Sequence, residues 1–146
     1  MTGSKIGGAD DLARALQTLG RSIGAPINAA SRKALRPMLA AAKRNAPVDK
    51  GNLKKSLTIK ADGKASKARP RFVVGPSKDY QVGDDRPVKY AHVVEFGPAD
   101  GSRPGARFMS SAFEETADQT IKILGDEIGP QIEKAAARKI ARKAAK

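Results

Sequence analysis

The sequence has no cysteine and no tryptophan, a single histidine, and aromatic residues at only 4% of its 146 positions. Without cysteine there can be no disulfide, no thiolate metal site and no cysteine nucleophile. One histidine cannot build a histidine-based metal centre. The scarcity of aromatics leaves the core to aliphatic and alanine side chains. It also removes the stacking platforms on which single-strand and RNA binders rely. No window approaches the roughly 20 apolar residues of a membrane-spanning helix. Residues 1–10 hold no apolar stretch that could act as a signal peptide. A Walker-type phosphate loop and a dinucleotide glycine fingerprint are both missing, and the glycine-bearing run 97–105 lacks their spacing. The expectation is a soluble chain with no cofactor, no metal and no membrane partner.

Positive charge, by contrast, is abundant. Lys and Arg number 28 against 15 Asp and Glu, a formal net charge of +13. A surplus of that size points to polyanions or acidic protein surfaces as partners. The length suits one domain able to bury a core.

Along the chain, residues 1–10 are rich in Gly and Ser and are expected to be mobile. From Leu12 the apolar residues Leu16, Leu19, Ile23, Ile27, Leu35, Met38, Leu39, Ala42 and Ala46 recur in helical steps, the mark of one stripe. Asp10 or Asp11 would cap its start. Pro26 predicts a kink near Ala25, and Pro37 a further bend. Residues 57–61 alternate as a strand does, 72–75 make a second short strand, and 88–96 make a third. In the third, Tyr90, His92, Val94 and Phe96 would share one face, with His92 partly buried. Residues 62–71 and 76–87 read as polar loops. Helical periodicity returns from Arg107 through Met109, Phe113, Thr116, Thr120, Leu124, Ile128, Ile132, Ala136 and Ile140, with a kink expected at Gly129–Pro130. The expected fold is α+β: a long kinked N-terminal helix, a small antiparallel sheet of three or four strands, and a C-terminal helix packed on the first. The domain plan is a mobile 1–10, one domain over 11–133, and a basic helical extension over 134–146.

The joint between helix and sheet, NAPVDKGNLKKSL at 45–57, carries much local instruction. Pro47 disfavours helix at Ala46 and stops it. Asp49 then caps a short helix, with Val48 and Leu53 as a hydrophobic staple and Gly51 keeping the first turn slim. Lys50, Lys54 and Lys55 are left outside.

Residues 46–57, APVDKGNLKKSL, resemble a signature of the gp-ten-like neck proteins of long-tailed bacteriophages, also described as head–tail connector or tail-completion proteins. Two later segments are similar to that family's motifs in the same order: YAHVVEFG at 90–97 and ARFMSSAF at 106–113. The motif positions are Pro47, Asp49, Gly51, Leu53, Tyr90, Glu95, Phe96, Gly97 and Phe108. Lys50 stands where threonine is usual, Pro98 follows the glycine, and no proline precedes Phe108. The resemblance implies a structural virion protein, present in the host cytoplasm during assembly. It would form a six-fold ring at the junction of capsid and tail, against connector, head-closure and tail-terminator rings.

Catalytic candidates are few. Asp84, Asp85 and Glu95 could gather a magnesium ion, yet the GDDRP run is also ordinary turn sequence. The expectation is therefore not an enzyme. The cations remain as contact residues: Lys54, Lys55, Lys60, Lys64 and Lys67 at the joint and first loop, Arg103 and Arg107 before the last helix, and a ridge of Lys134, Arg138, Lys139, Arg142 and Lys143. Three readings of that ridge stand side by side: a solvated face, contact with the phosphates of packaged double-stranded DNA, and docking on acidic surfaces of neighbouring virion proteins. A small basic, non-specific DNA-binding protein is thus the rival to the connector.

Overall fold

The computed structural model describes residues 9–65 and 70–145. Its elements are helices α1 (Ala9–Ala34), α2 (Arg36–Asn45) and α3 (Asn52–Ser56), strands β1 (Leu57–Ala61) and β2 (Phe72–Pro76), and helices α4 (Pro87–Phe96) and α5 (Phe108–Ala144). The fold mixes helix and sheet, with α5 running along both α1 and α2.

The N-terminal helical region breaks at Leu35, not at Pro26. Pro26 lies inside α1, whereas Pro37 occupies the first turn of α2, where its missing N–H costs nothing. The helix begins at Ala9, so Asp10 and Asp11 fall within its first turn. The expected mobile stretch lies, up to residue 8, outside the described residues, as do the side chains of Leu12 and Leu16. Ala30 and Ala34 of α1 and Ala41, Ala42 and Ala46 of the next helical turns are buried. Alanine at these positions lets helix backbones approach closely. The large core residues are Leu53, Leu57 and Phe108, packed with Ala91 and Ala112.

The sheet has two strands, fewer than expected. β1 and β2 pair antiparallel, with Leu57 opposite Pro76, Ile59 opposite Val74 and Ala61 opposite Phe72. The Arg32 guanidinium sits 5.0 Å from the centre of the Phe72 ring and ties α1 to β2. Asp62 and Arg71 clasp the base of the hairpin, by a backbone hydrogen bond of 2.9 Å and an ion pair of 3.4 Å.

The expected third strand is helix α4. Its ten residues satisfy two periods at once, and packing decides between them. Pro87, Ala91 and Glu95, four apart, are the buried positions, as a helical stripe requires. Pro87 in the first turn favours helix initiation. The supposed shared face dissolves: His92 is exposed, Phe96 is 75% exposed, and Tyr90 and Val94 are half-buried.

The joint differs too. Gly51, not Asp49, holds the position before α3, at φ 74, and no side chain caps that helix. A left-handed residue there needs glycine. Val48 is 69% exposed and forms no staple, while Leu53 is buried. In α5 the buried row is Phe108, Ala112 and Thr116: Thr116 stands where the stripe put it, while the expected Met109 and Phe113 give way to the positions just before them.

Candidate functional site

At the start of α5 the first N–H groups have no partner within the helix. Arg107, the residue before it, is left-handed (φ 50) and supplies no side-chain cap. Glu95, at the end of α4, fills the gap. Its carboxylate accepts the Met109 N–H at 2.8 Å, the Ser110 N–H at 2.9 Å, and the Ser110 hydroxyl. A buried anion at a helix N-terminus is also favoured by the helix dipole. Burial (Glu95 is 5% exposed) raises its carboxyl, but the Ser110 hydroxyl, the two amides and nearby Arg107 outweigh that and hold it below its ordinary value of 4.5.

The chain between these helices folds back over the end of α4. The Ala106 N–H donates to the Val94 carbonyl at 2.7 Å, and the Arg107 N–H to the Glu95 carbonyl at 3.0 Å. Gly97 has φ 87, and a Cβ on Gly105 would lie 2.1 Å from the Glu95 carbonyl oxygen. Neither position has room for a side chain. Glu95, Gly97 and Phe108 (1% exposed) therefore form one clamp that fixes the direction of α5.

The first two motifs meet in a cleft of about 510 Å³, where Pro47, Asp49, Gly51 and Leu53 face Tyr90 and Arg103. Asn52 Nδ2 donates to Asp85 Oδ2 at 2.6 Å. Burial raises the Tyr90 hydroxyl above its usual range, reinforced by its hydrogen bond to Asp85 and by the negative charges of Asp85 and Asp49. Asp85 thus accepts from Asn52 and sets its negative charge against Tyr90, so that it stands between the two motifs. The magnesium reading loses its ligands: Asp85 is engaged here, Glu95 holds α5, and Asp84 is exposed. Among the described residues, no three His, Cys, Asp or Glu side chains gather to hold a metal.

An apolar groove of about 640 Å³, which no pattern in the sequence announces, lies between β2, α4 and the start of α5. Val74, Val88 and Met109 line it, and Phe96 and Phe113, the latter 58% exposed, stand at its side. A strand over 88–96 would turn Phe96 to the shared face, and helical spacing alone puts Phe113 in the stripe; the helical period of α4 and the phase of α5 turn both rings outward.

The candidate cations lie on separate elements. Lys54 and Lys55 are exposed on α3, and Lys64 is exposed beyond β1. Lys60 pairs with Asp79 at 2.7 Å, and Arg107 with Glu114 at 3.0 Å. Lys67 lies outside the described residues. Arg103 is brought to the motif cleft. Lys134, Arg138, Lys139, Arg142 and Lys143 all line one groove of about 540 Å³ between α5 and α1.

One family model, described as "Bacteriophage HK97-gp10, putative tail-component", matches residues 10–97. The chain belongs to the HK97 gp10-like family. The match takes in the α1–α4 frame and two of the three motifs, ending on Gly97, and α5 continues beyond it. Membership makes this a bacteriophage tail-related structural protein, whose partners are other phage structural proteins and whose place is the virion. No helix of the described residues is long and apolar enough to cross a membrane. No curated protein and no solved structure matches the chain.

Proposed function

We propose that this HK97 gp10-like protein is a ring-forming component of the phage head–tail junction, completing the tail by joining the capsid connector to it. The observation that carries this reading is how the motif residues are spent. Glu95, Gly97 and Phe108 aim α5, while Pro47, Gly51, Leu53 and Tyr90 close the motif cleft. Family-specific sequence thus goes into a rigid frame. Exposed Phe96 and Phe113, Lys54, Lys55 and Lys64, and the α5 cations are left on its outside. Such a part works by assembly, not by turnover. Six copies in a ring, with connector, head-closure and tail-terminator rings as neighbours, is the arrangement the neck-protein resemblance favours. On this reading Lys54, Lys55, Lys60, Lys64, Lys67, Arg103 and Arg107 make contacts with those neighbours.

Electron microscopy of the purified protein, and of particles made without it, tests the proposal. Closed rings of uniform size, and filled heads separated from complete tails, are the expected images. Normal joined particles in its absence would refute it. Non-specific duplex DNA binding is the second reading, favoured by the five cations lining one groove. It predicts retention of bare duplex that falls steeply with salt.

A further inference from the structure

The two halves of α5 carry opposite charge. Residues 108–129 hold five carboxylates against Lys122 alone, and residues 130–145 hold five cations against Glu133 alone. A helix dipole accounts for cations in the last turn only, yet here they begin about three turns from the end.

Each half also exposes apolar surface beside its charge. In the second half, Leu19, Ile23 and Pro26 of α1 form the floor of the groove whose wall carries Lys134, Arg138 and Arg142. Among the described residues, no carboxylate pairs with Arg138 or Arg142. In the first half, Glu114, Asp118 and Ile121 are spaced four and three apart and so share one face; Glu114 also holds Arg107 at 3.0 Å in an exposed pair, which leaves its second carboxylate oxygen for a neighbour. That face points away from buried Ala112 and Thr116, and Ile121 is 69% exposed.

We propose that the Glu114–Asp118–Ile121 strip of one copy seats in the α1–α5 groove of the next. This contact rests on the ring reading above and supplies its interface. Ile121 would cover the Leu19 and Ile23 floor, with Glu114 and Asp118 opposite Arg138 and Arg142. Both charged pairs are four residues apart on a helix, about 6 Å along the axis, so both ion pairs can form together. Duplex DNA would satisfy the arginines but bring nothing apolar to the floor. The strip and the groove are different surfaces, so each copy keeps one of each free for the next neighbour. Such a head-to-tail contact closes into a ring when the rotation permits.

Sedimentation equilibrium of the full chain, without nucleic acid, tests the contact with two charge-reversed variants, Arg138→Glu/Arg142→Glu and Glu114→Lys/Asp118→Lys. Each alone is expected to associate at least about tenfold more weakly. An equimolar mixture, in which every reversed strip finds a reversed groove, is expected to recover the wild-type mass. Melting curves taken at a concentration where the wild type is itself monomeric should nearly match it, the Glu114 change giving up only the exposed Arg107–Glu114 pair, which separates lost docking from lost folding. Unchanged assembly in either variant, or a mixture that fails to recover, overturns the contact while leaving the ring reading intact; a wild-type complex that stops at two subunits overturns both. A wild-type chain that stays monomeric, or assembles only when a 20-base-pair duplex is added, overturns both.

Discussion

The two ends of α5 are built on different terms. At its start, Phe108, Ala112 and Thr116 are buried, and Glu95 satisfies the first turn from outside. Beyond Thr116 no described residue of the helix is buried, and the C-terminal half shows cations and the exposed Ile132 and Ile140. Cohesion is therefore concentrated where the helix begins, and surface available for contact where it ends. Substitutions at the two ends should separate accordingly.

The largest effect is expected from Phe108→Ala. Removing a fully buried ring from a core otherwise rich in alanine should cost ~3–5 kcal/mol in chemical denaturation. Glu95→Gln comes next, at about 1.5–3 kcal/mol, because it weakens charge-assisted bonds to α5. It also carries a pH signature. The Glu95 carboxyl lies below its ordinary value of 4.5 in the folded protein. Its contribution is therefore complete above the unfolded value and is lost as pH falls through the lower, folded one. Urea midpoints across acidic pH should fall less steeply in Glu95→Gln than in the wild type. Gly105→Ala, which drives a methyl group against the Glu95 backbone, should cost about 1–3 kcal/mol.

Smallest of all are changes at exposed pairs. Lys33–Glu127 and Arg44–Glu115 join α1 and α2 to α5 with their side chains well exposed. Breaking either should cost ~0.2–1 kcal/mol, shrinking in salt. Arg142→Ala, at the far end, should leave the melting temperature unchanged. A loss there comparable with Phe108→Ala would erase the distinction between the two ends.

Much of this frame is legible in the sequence. The periodicity of 12–46, the stop at Pro47, both strands of the hairpin and the long last helix follow from local pattern and turn chemistry. Two things do not. Residues 88–96 fit alternation and helical spacing equally over so short a length, and the buried positions Ala91 and Glu95 settle the matter only through their neighbours. The role of Glu95 is non-local, since it caps a helix that starts 13 residues later. Its sequence traces are its place in YAHVVEFG and an acid set between apolar Val94 and Phe96, and neither says which helix it caps. The exposed Phe96 follows from that same change of period, and Phe113 from a one-position shift of helical phase, which turns an inward ring outward.

The hairpin carries a kinetic consequence. With two strands among the described residues, β1 and β2 each leave one edge without a strand partner there, and a sheet of that size is marginal by itself. It is held instead by Leu57 in the core and by Phe72 against Arg32. The ladder can thus open locally while the Glu95 clamp stays shut, exchanging its amide hydrogens well before those of the first turns of α5.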